Sequence, residues 1–195
     1  MNRHLSTRSP RFEFVAFCAL TLVMLTTRSH ALSDVVHLPD TSLASFFLLG
    51  FLVRRASAFA GLFLFGFAID VWTIFVMGGS GFCFTPAYWM LLPAYGVMWF
   101  AGRVVADGFG EERSALAAGI ALLIAATLVS KLLSSGGFYF LGGRYPDPTI
   151  AEFLPRLERY FPGTLFATLL WSGIGATVYA VYKAAQPRLS RAHAQ

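Results

Sequence analysis

Residues 56–77 read ASAFAGLFLFGFAIDVWTIFVM. A hydrocarbon core of about 30 Å is crossed by about 20 helical residues at roughly 1.5 Å each, so this stretch is long enough to span a bilayer. Its one ionisable side chain is Asp70. Four more stretches satisfy the same arithmetic, at 12–33, 86–105, 114–133 and 162–183. A fifth, 41–54, holds only about a dozen strongly apolar residues, and is either short or extended through Thr41 and beyond Arg54. The expectation is an all-α polytopic membrane protein, one integral domain over residues 1–195, with six transmembrane helices.

Composition agrees. The chain is 56% hydrophobic and 13% charged, with 20 phenylalanines, against roughly 25% charged residues in an average soluble domain. Fifteen Lys+Arg with ten Asp+Glu are too few to coat a 195-residue globule. The numbers exclude a disordered chain, a string of soluble domains and, with only Cys18 and Cys83, a disulfide scaffold. The net charge of +5 does not call for nucleic acid, because the basic residues cluster at the ends of apolar runs. Membrane lipid is the expected surrounding.

Placing both termini in the cytoplasm puts ten basic residues inside: Arg3, Arg8, Arg11, Arg54, Arg55, Arg103, Arg113, Lys183, Arg188 and Arg191. Five, Arg28, Lys131, Arg144, Arg156 and Arg159, fall outside or near the outer ends. The positive-inside rule therefore predicts a membrane protein with both ends cytoplasmic. A competing reading takes the basic start, the run 14–25 and the small residues Ser29 and Ala31 as a cleaved signal peptide, which leaves five spans. Function is expected on the outer face, whose connections carry the unusual residues. These include His30 and His37, the loop at 78–85, and a long loop at 134–161 with an amphipathic helix capped by Thr149 and Glu152.

Residues 77–89, MGGSGFCFTPAYW, concentrate the candidate chemistry. Gly78, Gly79 and Gly81 permit positive φ and close backbone approach to a ligand. Thr85 suits an N-cap and Pro86 the first helical position. Cys83 would then lie before a helix N-terminus, where the thiolate is favoured, as a soft-metal ligand or nucleophile; the alternative is a small apolar filler. Cys18 reads as a filler buried in mid-span. Asp70 lies about 10 Å below the outer end of its span, and a carboxylate there is either functional or a hydrogen-bonded lock between helices. Tyr88 is placed to bond to it. Lys131 reads as a snorkelling side chain, and Phe82, Phe84, Tyr88, Trp89, Phe138, Tyr139, Phe140 and Tyr145 as an interface belt or the walls of a site for a flat ligand.

At Asp70 and Gly81-Phe82-Cys83-Phe84-Thr85-Pro86-Ala87-Tyr88 the chain resembles the BtuM-type vitamin B12 uptake proteins, relatives of the substrate-binding S-components of energy-coupling factor (ECF) transporters. The likeness in size and span layout covers essentially the whole chain. It implies an S-component-like bundle in a bacterial inner membrane, with cobalamin as the transported ligand. It further implies cobalt ligated by Cys83, with Asp70 and Tyr88 in the same constellation. Phe82 and Phe84 are the aromatic ligand-binding candidates beside them, and a thiolate on cobalt, by donating electron density, would assist loss of the upper axial ligand (decyanation) at Cys83. His30 or His37 is the alternative axial ligand. The first span lacks the AxxxA spacing with which S-components meet an ECF module; the nearest is Ala56 to Ala60, so the partner is either such a module or none. No Walker A sequence is present. Three readings stand together: cobalamin transport, cobalamin processing, and a membrane scaffold without a small-molecule site.

Overall fold

The computed structural model describes residues 9–28, 39–53, 55–82, 84–108 and 113–192, and is helical with no strand among them. Helix α1 spans Pro10–Arg28, α2 Ser42–Leu52 and α3 Ala56–Phe75. A 3-10 turn at Pro86–Met90 leads into α4, Leu91–Gly108. Helix α5, Arg113–Lys131, passes through a π turn at Leu132–Gly136 into α6, Gly137–Leu141. The last helix, α7, runs over Ile150–Ala192. Five segments are long and apolar enough to cross a membrane: Pro10–Arg28, Ala56–Phe75, Pro86–Gly108, Leu116–Leu141 and Ile150–Ala185. Large apolar side chains such as Phe14, Leu64, Phe75, Phe100 and Val178 face outward. Such an exterior is stable against lipid and not against water. The protein is an all-α polytopic membrane bundle.

Helix α2 is the exception in length. Its 11 residues cover about 16 Å, half the hydrocarbon core. It is apolar all round, and nine of its residues are buried, as expected of a helix surrounded by protein. It packs against α1, α3, α4 and α7, and Phe46 and Leu49 are fully buried there beside Met24, Leu62 and Met98. The closest approach is to α4. A Cβ on Gly50 would run into the Trp99 carbonyl, and one on Gly102 into the Phe47 carbonyl. Each helix thus supplies a glycine where the other's backbone comes nearest, the small-residue packing typical of membrane helices.

Despite its length, α2 carries the chain from one end of the bundle to the other. Its first residue, Ser42, bonds to Arg28 at the end of α1, while Arg55, just beyond it, pairs with Glu13 near the start of α1 at 3.4 Å. At that second end Phe12 of α1 also stacks on Tyr182 of α7, with ring centroids 5.0 Å apart.

Two expectations are corrected. The long outer loop at 134–161 is mostly helix: α6 continues to Leu141, and α7 begins at Ile150 and runs through Pro155 and Pro162 as one element. Each interior proline costs about 3 kcal/mol of lost hydrogen bonding and strain, and packing on both sides outweighs it. Phe153 is buried against Tyr139 and Phe140, and Ala167, Thr168 and Ser172 are buried further along. Cys18 is exposed on α1 rather than buried, because an apolar helix at the bundle's edge turns one face to lipid.

Candidate functional site

Asp70 sits in the last two turns of α3, and its carboxylate is fully engaged by protein. Arg28 grips it with both arms of its fork, Nε donating to Oδ1 at 2.7 Å and Nη2 to Oδ2 at 2.5 Å. The Tyr88 hydroxyl donates to Oδ2 at 2.8 Å, which is the bond expected from the depths of the two residues. Arg28 Nη1 donates in addition to the Tyr95 hydroxyl at 2.9 Å and to Ser42 Oγ at 2.8 Å. Ser42 Oγ in turn donates to Asp40 Oδ1, which also accepts the Ser42 backbone N–H and so caps α2. One network therefore ties together α1, α2, α3, the 3-10 turn and α4. Its central ion pair is 13% and 21% exposed on the two side chains.

Arg28 is the partner that sequence reasoning missed. Counted as a basic residue near an outer end, it lies 42 positions from Asp70, and no local spacing links them. The available signal was physical: a carboxylate at membrane depth needs a cation, and Arg28 ends a span on the same side as Asp70.

Above this network opens a cavity of about 510 Å³, within the roughly 300–1,000 Å³ common for small-molecule sites. Arg28, Asp40, Asp70, Tyr88 and Tyr95 line one side. Phe82, Phe138, Tyr139, Tyr145, Phe153 and Tyr160 supply an aromatic wall, with Lys131, Ser134, Ser135 and Arg156 among them. Phe82 meets Phe138 at 5.5 Å, and Tyr139 meets Tyr145 at 4.5 Å between centroids. Tyr139 is also held by its hydroxyl, which donates to Glu152 at 3.0 Å. The expected capping box at Thr149 is thereby half realised: the Glu152 N–H bonds to Thr149 Oγ1 at 3.3 Å, while the Glu152 carboxylate serves Tyr139.

Among the sequence-predicted site residues, Asp70, Tyr88 and Phe82 line this cavity. Phe84 does not line it. It packs against Phe67, Phe75 and Tyr88, buttressing the loop on α3. Cys83, His30 and His37 lie outside the described residues. The loop's glycines act differently from expectation. Of the three, only Gly78 has positive φ, 71°, and there it ends α3: the chain turns back so that the Gly79 N–H reaches the Thr73 carbonyl, six residues earlier, at 2.9 Å. Thr85 stands at the predicted boundary with extended backbone, but its hydroxyl makes no capping bond and is buried without a partner among the described residues. Pro86 opens a 3-10 turn instead of the α-helix itself. Lys131, read from the sequence as a snorkelling side chain, also lines the cavity.

Compared with known proteins, the chain matches no family model and no curated protein.

Proposed function

We propose that this protein binds cobalamin and takes part in its passage across a bacterial inner membrane, and that Cys83 ligates the cobalt of this cargo. The observation that carries the reading is the convergence of Asp70, Tyr88 and Phe82 on one aromatic-walled cavity at the end of the bundle where the 78–85 loop lies. All three fall within the positions, Asp70 and 81–88, on which the resemblance to BtuM-type proteins rests. A cavity of about 510 Å³ with such walls suits part of a large, flat, partly polar ligand. A thiolate bound to Co(III) donates its electron pair to the metal and weakens the opposite axial bond. Cyanide would then leave with the Co–C electron pair and take up a proton as hydrogen cyanide, with cobalt remaining Co(III). Binding and processing thus share one site, with Cys83 as the group that touches cobalt. Transport alone or with an ECF module is compatible with the same site.

A second reading has an observation of its own. Among the described residues, every hydrogen bond that Asp70 accepts comes from Arg28 or Tyr88, as it would if the carboxylate only locked helices in a scaffold. One purification decides between them. Detergent-purified protein incubated with cyanocobalamin should retain a corrinoid spectrum after gel filtration, and the Cys83→Ser variant should lose its ligand-field signature. Release of cyanide by wild type would add the processing step. Colourless protein that fails to retain added cobalamin would refute the transport reading and leave the scaffold.

A further inference from the structure

The cavity holds more positive charge than its own carboxylates use. Of its three cations, Arg28 is committed to Asp70, and Asp40 is occupied by the backbone N–H and hydroxyl of Ser42. Lys131 and Arg156 also line the cavity, and neither has a carboxylate within ion-pair distance among the described residues. The Lys131 ammonium has no hydrogen-bond partner among them, and its charged neighbour of note is Asp40. Arg156 lies over rings instead, 4.6 Å from the centroid of Tyr145 and 5.6 Å from that of Tyr139.

The backbone at Lys131 is a second, independent observation. The π turn begins at the next residue, Leu132. A π turn inserts an extra residue into a helix and re-aims the side chains around it, which is why such turns gather at functional sites. Here Lys131, Ser134 and Ser135 all line the cavity. Ser134 turns its hydroxyl back to the Ser130 carbonyl at 2.9 Å, while the Ser135 hydroxyl makes no hydrogen bond among the described residues. An ammonium partly withdrawn from water, a free hydroxyl and a guanidinium stacked on two tyrosines form an anion-binding set beside flat aromatic walls.

We infer that this cavity takes a ligand carrying an anionic group, phosphate or carboxylate, next to a flat ring system, and that Lys131, with Arg156 and Ser135, binds the anion. The assignment deepens the cobalamin reading, in which the anion is the phosphodiester of the nucleotide arm, but its first test does not depend on that reading. Thermal unfolding of detergent-purified wild type is followed with phenyl phosphate and with benzyl alcohol. Phenyl phosphate should raise the transition temperature and benzyl alcohol should not. The rise should vanish in Lys131→Met, shrink in Arg156→Gln and return in Lys131→Arg. Unliganded Lys131→Met should unfold near the wild-type temperature, since no partner is stranded. Equal stabilisation of wild type and Lys131→Met, or none by phenyl phosphate, would overturn the inference. Stabilisation only by anionic lipid in nanodiscs would overturn it in favour of a headgroup site.

The second test compares cobalamin with cobinamide, which lacks the phosphodiester. Lys131→Met should weaken cobalamin about 10-fold or more, as expected for a charge-assisted hydrogen bond, and leave cobinamide unchanged. If wild type binds neither corrinoid, the cobalamin reading fails, and the phenyl phosphate result still decides the role of Lys131. Equal weakening of both corrinoids would overturn the assignment of the anion to Lys131.

Discussion

Replacing Arg28 by methionine tests whether the Asp70 network holds the bundle together. The guanidinium donates four hydrogen bonds, two to Asp70 and one each to Ser42 and Tyr95. Methionine keeps an apolar stem of similar reach and removes all four, leaving Asp70 with the Tyr88 hydroxyl as its one donor among the described residues. Stranding one member of a buried ion pair costs about 3–5 kcal/mol. Because the Asp70 side chain is 21% exposed, water can relieve part of the loss, and the lower end, about 3 kcal/mol, is expected. At about 2–4 °C per kcal/mol for a chain of this size, the transition temperature should fall by about 6–12 °C. Intrinsic fluorescence of the four tryptophans reports it in detergent. Arg28→Lys, which keeps the charge but not the fork, should fall between. The double variant Arg28→Met with Asp70→Leu should be less destabilised than the sum of the singles by about 2 kcal/mol, since removing both partners strands no charge. Strict additivity, or an unchanged transition in Arg28→Met, would refute the reasoning.

Other expectations follow from single features. Asp70→Asn and Tyr88→Phe should lower thermal stability by about 1–3 kcal/mol whatever the site does. Measuring corrinoid affinity on the same samples separates the roles, because unaltered affinity in both variants would limit this pair to locking helices. Cys18→Ser, on the outward face of α1, should leave both stability and cobalamin spectrum unchanged, whereas Cys83→Ser should abolish cobalt ligation; the converse pattern would reject Cys83 as the ligand. Gly50→Ala and Gly102→Ala should each destabilise by about 1–3 kcal/mol, since the added methyl meets a backbone carbonyl that has no rotamer to escape into. Gly96→Ala and Gly173→Ala, where a Cβ meets nothing within 4 Å, should be neutral or stabilising by up to about 1 kcal/mol. A matched thermal-shift series of the four variants checks this contrast.

By itself the sequence determined that the chain is helical and membrane-embedded, because apolar runs long enough to cross a bilayer are a local property that lipid reads directly. It also singled out Asp70 as costly at its depth, and Tyr88 as a group able to reach it. What needed the tertiary structure was every decision made across the bundle. The half-length helix α2 is stable because four other helices surround it, and no count of its own residues shows that. The continuity of α7 through Pro155 and Pro162 joins the loop helix expected at 149 to the span expected from 162, and packing around Phe153 and Ala167 offsets the cost of the two prolines. Above all, Arg28 and Asp70 are joined by the folding of α1 onto α3, and Lys131 is turned into the cavity where a π turn follows it. Charge pairs and cavity walls arise from residues distant in sequence, and their desolvation gives them their energy; neither distance nor burial exists until the helices pack.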